Sequence, residues 1–363
     1  MRGSCAQERA ARRLRRRGRM AWTSVLVRLG VLATALLAML DVARTPPDAP
    51  DPLAVREGER LLVIAPHPDD ETLGAGGLVQ RVLARNGSVH VVLVTAGDGN
   101  IGGVVLDTGL RQPPPANFVA YGERRVAEAR AALHRLGAPA DALDVLGFPD
   151  GGLMPLLSRH WRRAQPARSA TTGASDPPYA FAVDPDIAYD GADLRDELAR
   201  VLDEVRPTLI ALPDPIDRHP DHDASGVFAL LAIDEWIGGR WPRREPPRVL
   251  AYLVHWPDWP PGWDAPAPNP ADAEHPLDLP STLPPRPLDT VTLTLTPAEV
   301  AAKRTALAEH ASQQRAMGSF LAAFVRRTEP FTLLDATAIR SVAIDYERGP
   351  EQQVRKIGPP AAG

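Results

Sequence analysis

The chain has 363 residues, 44% hydrophobic and 24% charged, an ordinary globular composition with room for one large domain. Its formal charge of −4 is uneven: residues 1–20 hold eight arginines and one glutamate ahead of a mildly acidic remainder, which argues against a nucleic-acid-binding protein. The one cysteine, Cys5, excludes an internal disulfide framework and a thiolate zinc site.

Residues 21–40 are apolar and long enough to span a bilayer. With a basic head on their N-terminal side they predict an uncleaved signal anchor. The head (1–20) then lies in the cytoplasm, one transmembrane helix covers 21–40, and the catalytic domain is extracytoplasmic. The alternative is a cleaved signal peptide and secretion. Arg28 inside the span has to lie near the cytoplasmic end and snorkel. Residues 41–58, rich in proline and aspartate, read as a linker. The folded domain is predicted over 59–348, with a flexible tail at 349–363.

The continuous apolar run 61–65 has the character of a buried parallel strand. A helix over 73–84 follows, stopped by Asn86-Gly87. Further strands are predicted at 89–96, 142–148, 208–213 and 248–256, alternating with helices at 124–136, 194–205 and 223–237. A strand at 289–296, a long helix over 298–324 and a last strand at 341–346 complete the domain. This alternation predicts an α/β fold, Rossmann-like, with a mostly parallel sheet and helices on both faces.

In such sheets ligands bind beyond the carboxyl ends of the strands. Two polar clusters fall at that edge: Pro66-His67-Pro68-Asp69-Asp70-Glu71 after the first strand, and His219-Pro220-Asp221-His222 after the fourth. Each alone also reads as a loop with helix caps. Together they offer a catalytic zinc site, which takes three protein ligands and leaves a position for water. His67, Asp70 and His222 can supply the ligands. Asp69 can take a proton from the attacking water, and His219 can stabilise an oxyanion or protonate the leaving amine. Asp221 can orient His219. A His/His/Asp set also accepts Fe2+ or Co2+.

These two motifs resemble the LmbE/PIG-L-like zinc-dependent N-acetylglucosaminyl deacetylases. The resemblance continues through Thr95-Ala96-Gly97-Asp98-Gly99, Arg125 with Glu128, Gly147-Phe148-Pro149-Asp150, Arg206-Pro207-Thr208 and the stretch 303–313. It implies zinc on His67, Asp70 and His222, Asp69 as base, His219 as electrostatic or acid partner, and an N-acetylated sugar as substrate. Arg125, Asp150 and Asp98 become candidate substrate contacts. His255, at the end of a strand on the same edge, is either a further contact or a buried structural histidine. The expected activity is removal of an N-acetyl group from a glycan, glycolipid or glycoside. The alternatives are a sugar-binding protein without turnover and a cytosolic deacylase of a small glycoside or antibiotic precursor.

Two segments, 154–186 and 256–287, are long for compact connections. The second carries Trp256, Trp259 and Trp263, which serve either as platforms for a sugar or as pins fastening the loop.

Overall fold

A computed structural model describes residues 51–162, 164, 166–240 and 245–347. The predicted anchor at 21–40, the basic head and the tail beyond 347 lie outside the described residues. Eight strands form one sheet in the order β1-β7-β8-β6-β5-β2-β3-β4. Five adjacent strands are parallel: β2 (Arg60–Ala65), β3 (Ser88–Thr95), β4 (Leu143–Phe148), β5 (Leu209–Pro213) and β6 (Arg248–Tyr252). β8 (Thr328–Leu334) joins β6 antiparallel and pairs in turn with β7 (Thr290–Thr294).

Alternation along β2 sets the layers. Leu61, Val63 and Ala65 face one apolar cluster, while Leu62 and Ile64 face the other. All five are at most 1% exposed. Each such side chain contributes about 1.5–3 kcal/mol on burial, so the strand has no solvent face to lose. On the first face lie α1 (Asp70–Ala84), α3 (Pro115–Arg135) and α7 (Pro297–Glu309). On the second lie α5 (Gly191–Val205) and α6 (Pro220–Arg240). Two short helices, α2 (Ile101–Thr108) and α4 (Leu153–Ser158), sit in loops at the carboxyl edge and have no counterpart among the predicted elements.

Three expectations are corrected. Residues 341–346 are not a strand: they lie in α9 (Ala336–Glu347), where the Asp335 carboxylate accepts from the Ala338 N–H at 2.7 Å. The last strand is β8, upstream of it. The single long helix at 298–324 is two, α7 and α8 (Ala311–Ala323), separated at His310, with α8 kinked again at Met317 (φ −149°, ψ 41°). Residues 51–58, assigned to the linker, contribute β1 (Asp51–Pro52), paired with β7, and the buried Leu53 and Val55.

Two features fix the neighbourhood of the site. Glu329 on β8 accepts from the N–H groups of Gly77 (2.7 Å) and Leu78 (2.9 Å) inside α1. Lys303 on α7 donates to Glu329 (2.7 Å) and to Leu73 O (2.8 Å), and both charged groups are buried. The segment 166–189 crosses the open side of β4, where the Val183 N–H donates to Val145 O at 3.0 Å.

Candidate active site

β2 and β5 are neighbours, and the chain leaves β2 towards β3 on one side and β5 towards β6 on the other. Their carboxyl ends therefore flank the point where the winding reverses, where a crevice forms. The first motif leaves β2 there and runs into α1. The second follows β5 and opens α6.

Three side-chain atoms converge. His67 Nδ1 is 3.2 Å from Asp70 Oδ2, His222 Nε2 is 3.1 Å from the same oxygen, and the two nitrogens are 3.3 Å apart. Donors bound tetrahedrally to zinc at about 2.0–2.1 Å stand ~3.3–3.4 Å from one another, so these edges match a metal polyhedron. Nitrogens of His219 and His255 belong to overlapping clusters within 4.8 Å. The donor set, two imidazoles and one carboxylate, fits a divalent metal of the zinc type.

The far sides of both imidazoles meet carboxylates. His67 Nε2 faces Asp150 Oδ1 (3.2 Å) and Asp221 Oδ2 (3.3 Å). His222 Nδ1 stands 3.5 Å from Asp217 Oδ2, which also accepts from the N–H groups of Val254 and His255 at 2.9 Å. Burial opposes charging of His67, but Asp150, Asp221 and Asp70 outweigh it and hold its pKa well above the usual value. For His222, burial is likewise outweighed by Asp70 and Asp217, which push its pKa up to about 9. Protons thus compete with metal for this centre.

Asp69 sits at the N-cap of α1 with φ 132°, but its carboxylate does not cap the helix. It turns to Arg125, whose Nη2 lies 3.2 Å away. The same guanidinium donates to Gly97 O (3.0 Å) and Pro68 O (2.7 Å), tying two loops together. Gly97 has φ 70°, and a Cβ there would run into that guanidinium. Burial raises the Asp69 pKa to about 6, with Arg125 opposing. Its own N–H is held by the buried Glu71 (2.9 Å), whose other oxygen faces His310 at 3.4 Å.

His219 is half-buried in the cleft wall, its ring 4.8 Å from that of His67. Its Nδ1 accepts from the Asp221 backbone N–H at 3.3 Å, which leaves Nε2 as the protonated nitrogen. Burial first, then the neighbouring imidazoles, keep this ring neutral. The role expected of the Asp221 carboxylate is corrected. It accepts from the N–H groups of Gly151 (2.6 Å) and Leu153 (3.1 Å) and faces His67, so it does not orient His219.

The cleft holds about 380 Å³ and is lined by His67, Asp69, Asp70, Arg125, Asp150, His219 and His255 among others. Asp98 does not line it. It is buried behind Gly99 and accepts from the Tyr179 hydroxyl, so its expected substrate contact is corrected. Asp150 and Arg125 line the cleft but are already committed to His67 and Asp69. Sequence reasoning missed Asp217 and Asn100. Asn100 lines the cleft and donates to Gln313 Oε1 at 3.2 Å. The signal for Asp217 was its place between a strand end and the second motif.

Fold and site define an α/β protein with a buried His/Asp cluster that could hold a metal ion at the carboxyl edge of its sheet. Residues 62–233 match the family described as PIG-L, GlcNAc-PI de-N-acetylase. The chain is 30% identical over 279 residues to a 1D-myo-inositol 2-acetamido-2-deoxy-alpha-D-glucopyranoside deacetylase of Rhodococcus opacus, an alignment covering 70% of this chain and 81% of that protein. It belongs to the PIG-L family. A deacetylase of the same name from Tsukamurella paurometabola is 35% identical over 182 residues, 48% of this chain, and the chain spans just over half (55%) of that relative. Among solved structures, an N,N'-diacetylchitobiose deacetylase from Pyrococcus horikoshii is similar at 17% identity and a TM-score of 0.46, over 76% of this chain and 84% of that one, too distant to weigh further.

The membrane-anchored, extracytoplasmic placement is corrected. It rested on residues 21–40, outside the described residues. No described helix is long and apolar enough to cross a membrane, and the relatives reported above are named for a glucopyranoside of myo-inositol.

Proposed function

We propose that the chain is a metal-dependent hydrolase that removes the acetyl group from an N-acetylated amino sugar, releasing acetate and the free amine. The observation that carries this reading is the triangle of His67 Nδ1, Asp70 Oδ2 and His222 Nε2, with edges of 3.1–3.3 Å, flanked on the cleft side by Asp69 and His219. Membership of a family described as de-N-acetylases supports the choice of bond.

His67, Asp70 and His222 would hold a divalent metal, which would supply Lewis-acid polarisation of water and of the acetyl carbonyl. Asp69, its carboxylate fixed by Arg125, accepts the proton of the attacking water. Its pKa, raised to about 6 by burial, suits a base working near neutrality. The Nε2–H of neutral His219 donates to the carbonyl oxygen as negative charge gathers there. As the C–N bond breaks, the proton on Asp69 passes to the departing amine. Asp150 and Asp221 act on His67, holding its ring with Nδ1 towards the metal position. A carbohydrate-binding protein without turnover has no use for an Asp69 withdrawn from its helix cap and fixed by an arginine.

The test is acetate release from methyl N-acetylglucosaminide by zinc-loaded protein, with and without chelator. Release abolished by chelator and restored by metal is expected, together with loss of bound zinc in His222→Ala. Unchanged zinc in that variant removes the assigned ligand set.

A further inference from the structure

Beside the cleft lies a second and larger cavity. A groove of about 650 Å³ shares His255, Met317 and Phe320 with the cleft, which holds about 380 Å³. Its far wall is the 256–265 stretch of the long insertion, with Trp256, Trp259 and Trp263. Residues 316–320 of α8, around the break at Met317, line it as well.

This wall is preformed and apolar. The indole N–H of Trp256 donates to Thr282 Oγ1 at 2.8 Å and that of Trp259 to Asp278 O at 2.9 Å. Both donors are thus used inside the insertion, and these two tryptophans act as pins. The insertion is tied to the body by the buried Arg326, which donates to the carbonyls of Pro261 and Asp272. Phe320 lies against His255, ring centroids 5.3 Å apart and planes 7° apart. Trp263, by contrast, is 41% exposed and Met317 is 36% exposed, and Ile101 at the cleft mouth is 59% exposed. These three are among the six large apolar side chains exposed among the described residues; Ile101 lines the cleft, Trp263 the groove, and Met317 both. The groove also has charged residues: Asp258 and Asp264 are exposed, and the exposed Arg218 lays its guanidinium over Trp256, 4.7 Å from the ring centroid.

Resting on the reading of the cleft as a deacetylation site, we infer that the groove binds an apolar, aryl or alkyl, aglycone of the same substrate. Its acetamido sugar then occupies the metal cleft. An inositol ring brings several hydroxyls that need hydrogen-bonding partners; the faces of Trp263 and Phe320 supply none, and in this groove those partners are left to Arg218, Asp258, Asp264 and Ser319. An apolar group covering Trp263 and Met317 gains by removing that surface from water. Because the wall is already fixed, little ordering cost is set against the gain. The chain thereby selects a different aglycone from the one in its relatives' names.

The experiment compares methyl and 4-butylphenyl N-acetylglucosaminides as substrates of the zinc-loaded full chain. In parallel, binding of the corresponding deacetylated glucosaminides is measured by calorimetry. The arylated compound is expected to exceed the methyl compound at least tenfold in kcat/KM and in affinity. Trp263→Ala, at an exposed position that leaves the fold intact by its melting temperature, is expected to reduce both ratios to below about threefold. Equal values for the two compounds, or ratios that survive Trp263→Ala, overturn the groove assignment. Absence of acetate release with the calorimetric preference intact instead removes the hydrolase reading and leaves the groove standing.

Discussion

At the scale of single residues, the site divides into atoms that face the cleft and carboxylates that hold them. Asp69 faces the cleft and binds no donor of the triangle. Asp69→Asn is therefore expected to keep its zinc, by metal analysis, and to lose at least ~10²-fold in kcat. Asp98 behaves oppositely: it is buried away from the cleft, and burial followed by the charge of Asp150 raises its pKa to about 7 from an ordinary 3.8. A carboxyl raised in this way holds its proton more tightly folded than unfolded. The stability it confers is complete below about pH 4 and is lost as pH climbs to about 7. Melting temperature is expected to fall between about pH 4 and pH 7, with a smaller fall in Asp98→Asn, whose amide oxygen still accepts from Tyr179. The positions of the triangle residues could be anticipated because both motifs fall between the end of a parallel strand and the first turn of the helix after it, which places them at the carboxyl edge. Which carboxylate serves which histidine was not legible. Asp221 lies two residues from His219 in the chain, yet its carboxylate turns to His67 and the Gly151 and Leu153 amides, across a contact set by tertiary packing.

At the scale of elements, α1 carries one of the three donors in its first turn and a second just ahead of it, and is held further along by Glu329 and Lys303. Lys303→Met leaves the Glu329 carboxylate buried without its cation. Urea unfolding is expected to show a loss of about 3 kcal/mol, part of which returns in the Lys303→Met/Glu329→Gln double variant. An unchanged midpoint in the single variant removes this pair as the anchor of α1. The central parallel strands could be read from their continuous apolar runs, since both their faces are covered. The C-terminal third could not be read in the same way. In 341–346 the apolar residues fit a helix face as well as a strand, and pairing with β6 selected 328–334 instead. The break at His310 left no proline or glycine signal. His310 is drawn into the core beside Glu71, and that tertiary contact interrupts the helix.

At the scale of the whole molecule, the sheet ends in β4 on one side and in the two-residue β1 on the other. An uncovered parallel edge is a template on which a second chain can add strands. The insertion at 166–189 occupies that position beside β4: Val183 spends its amide on Val145, while Tyr179 and Ala182 cover the apolar side chains beneath. A chain lacking 177–186 is expected to sediment faster than its parent and to bind an amyloid-sensing dye, while an unchanged sedimentation coefficient removes the guarding role. A long loop superfluous to a minimal fold thus protects the molecule from its own copies, and shortening it to make a leaner enzyme trades solubility for brevity.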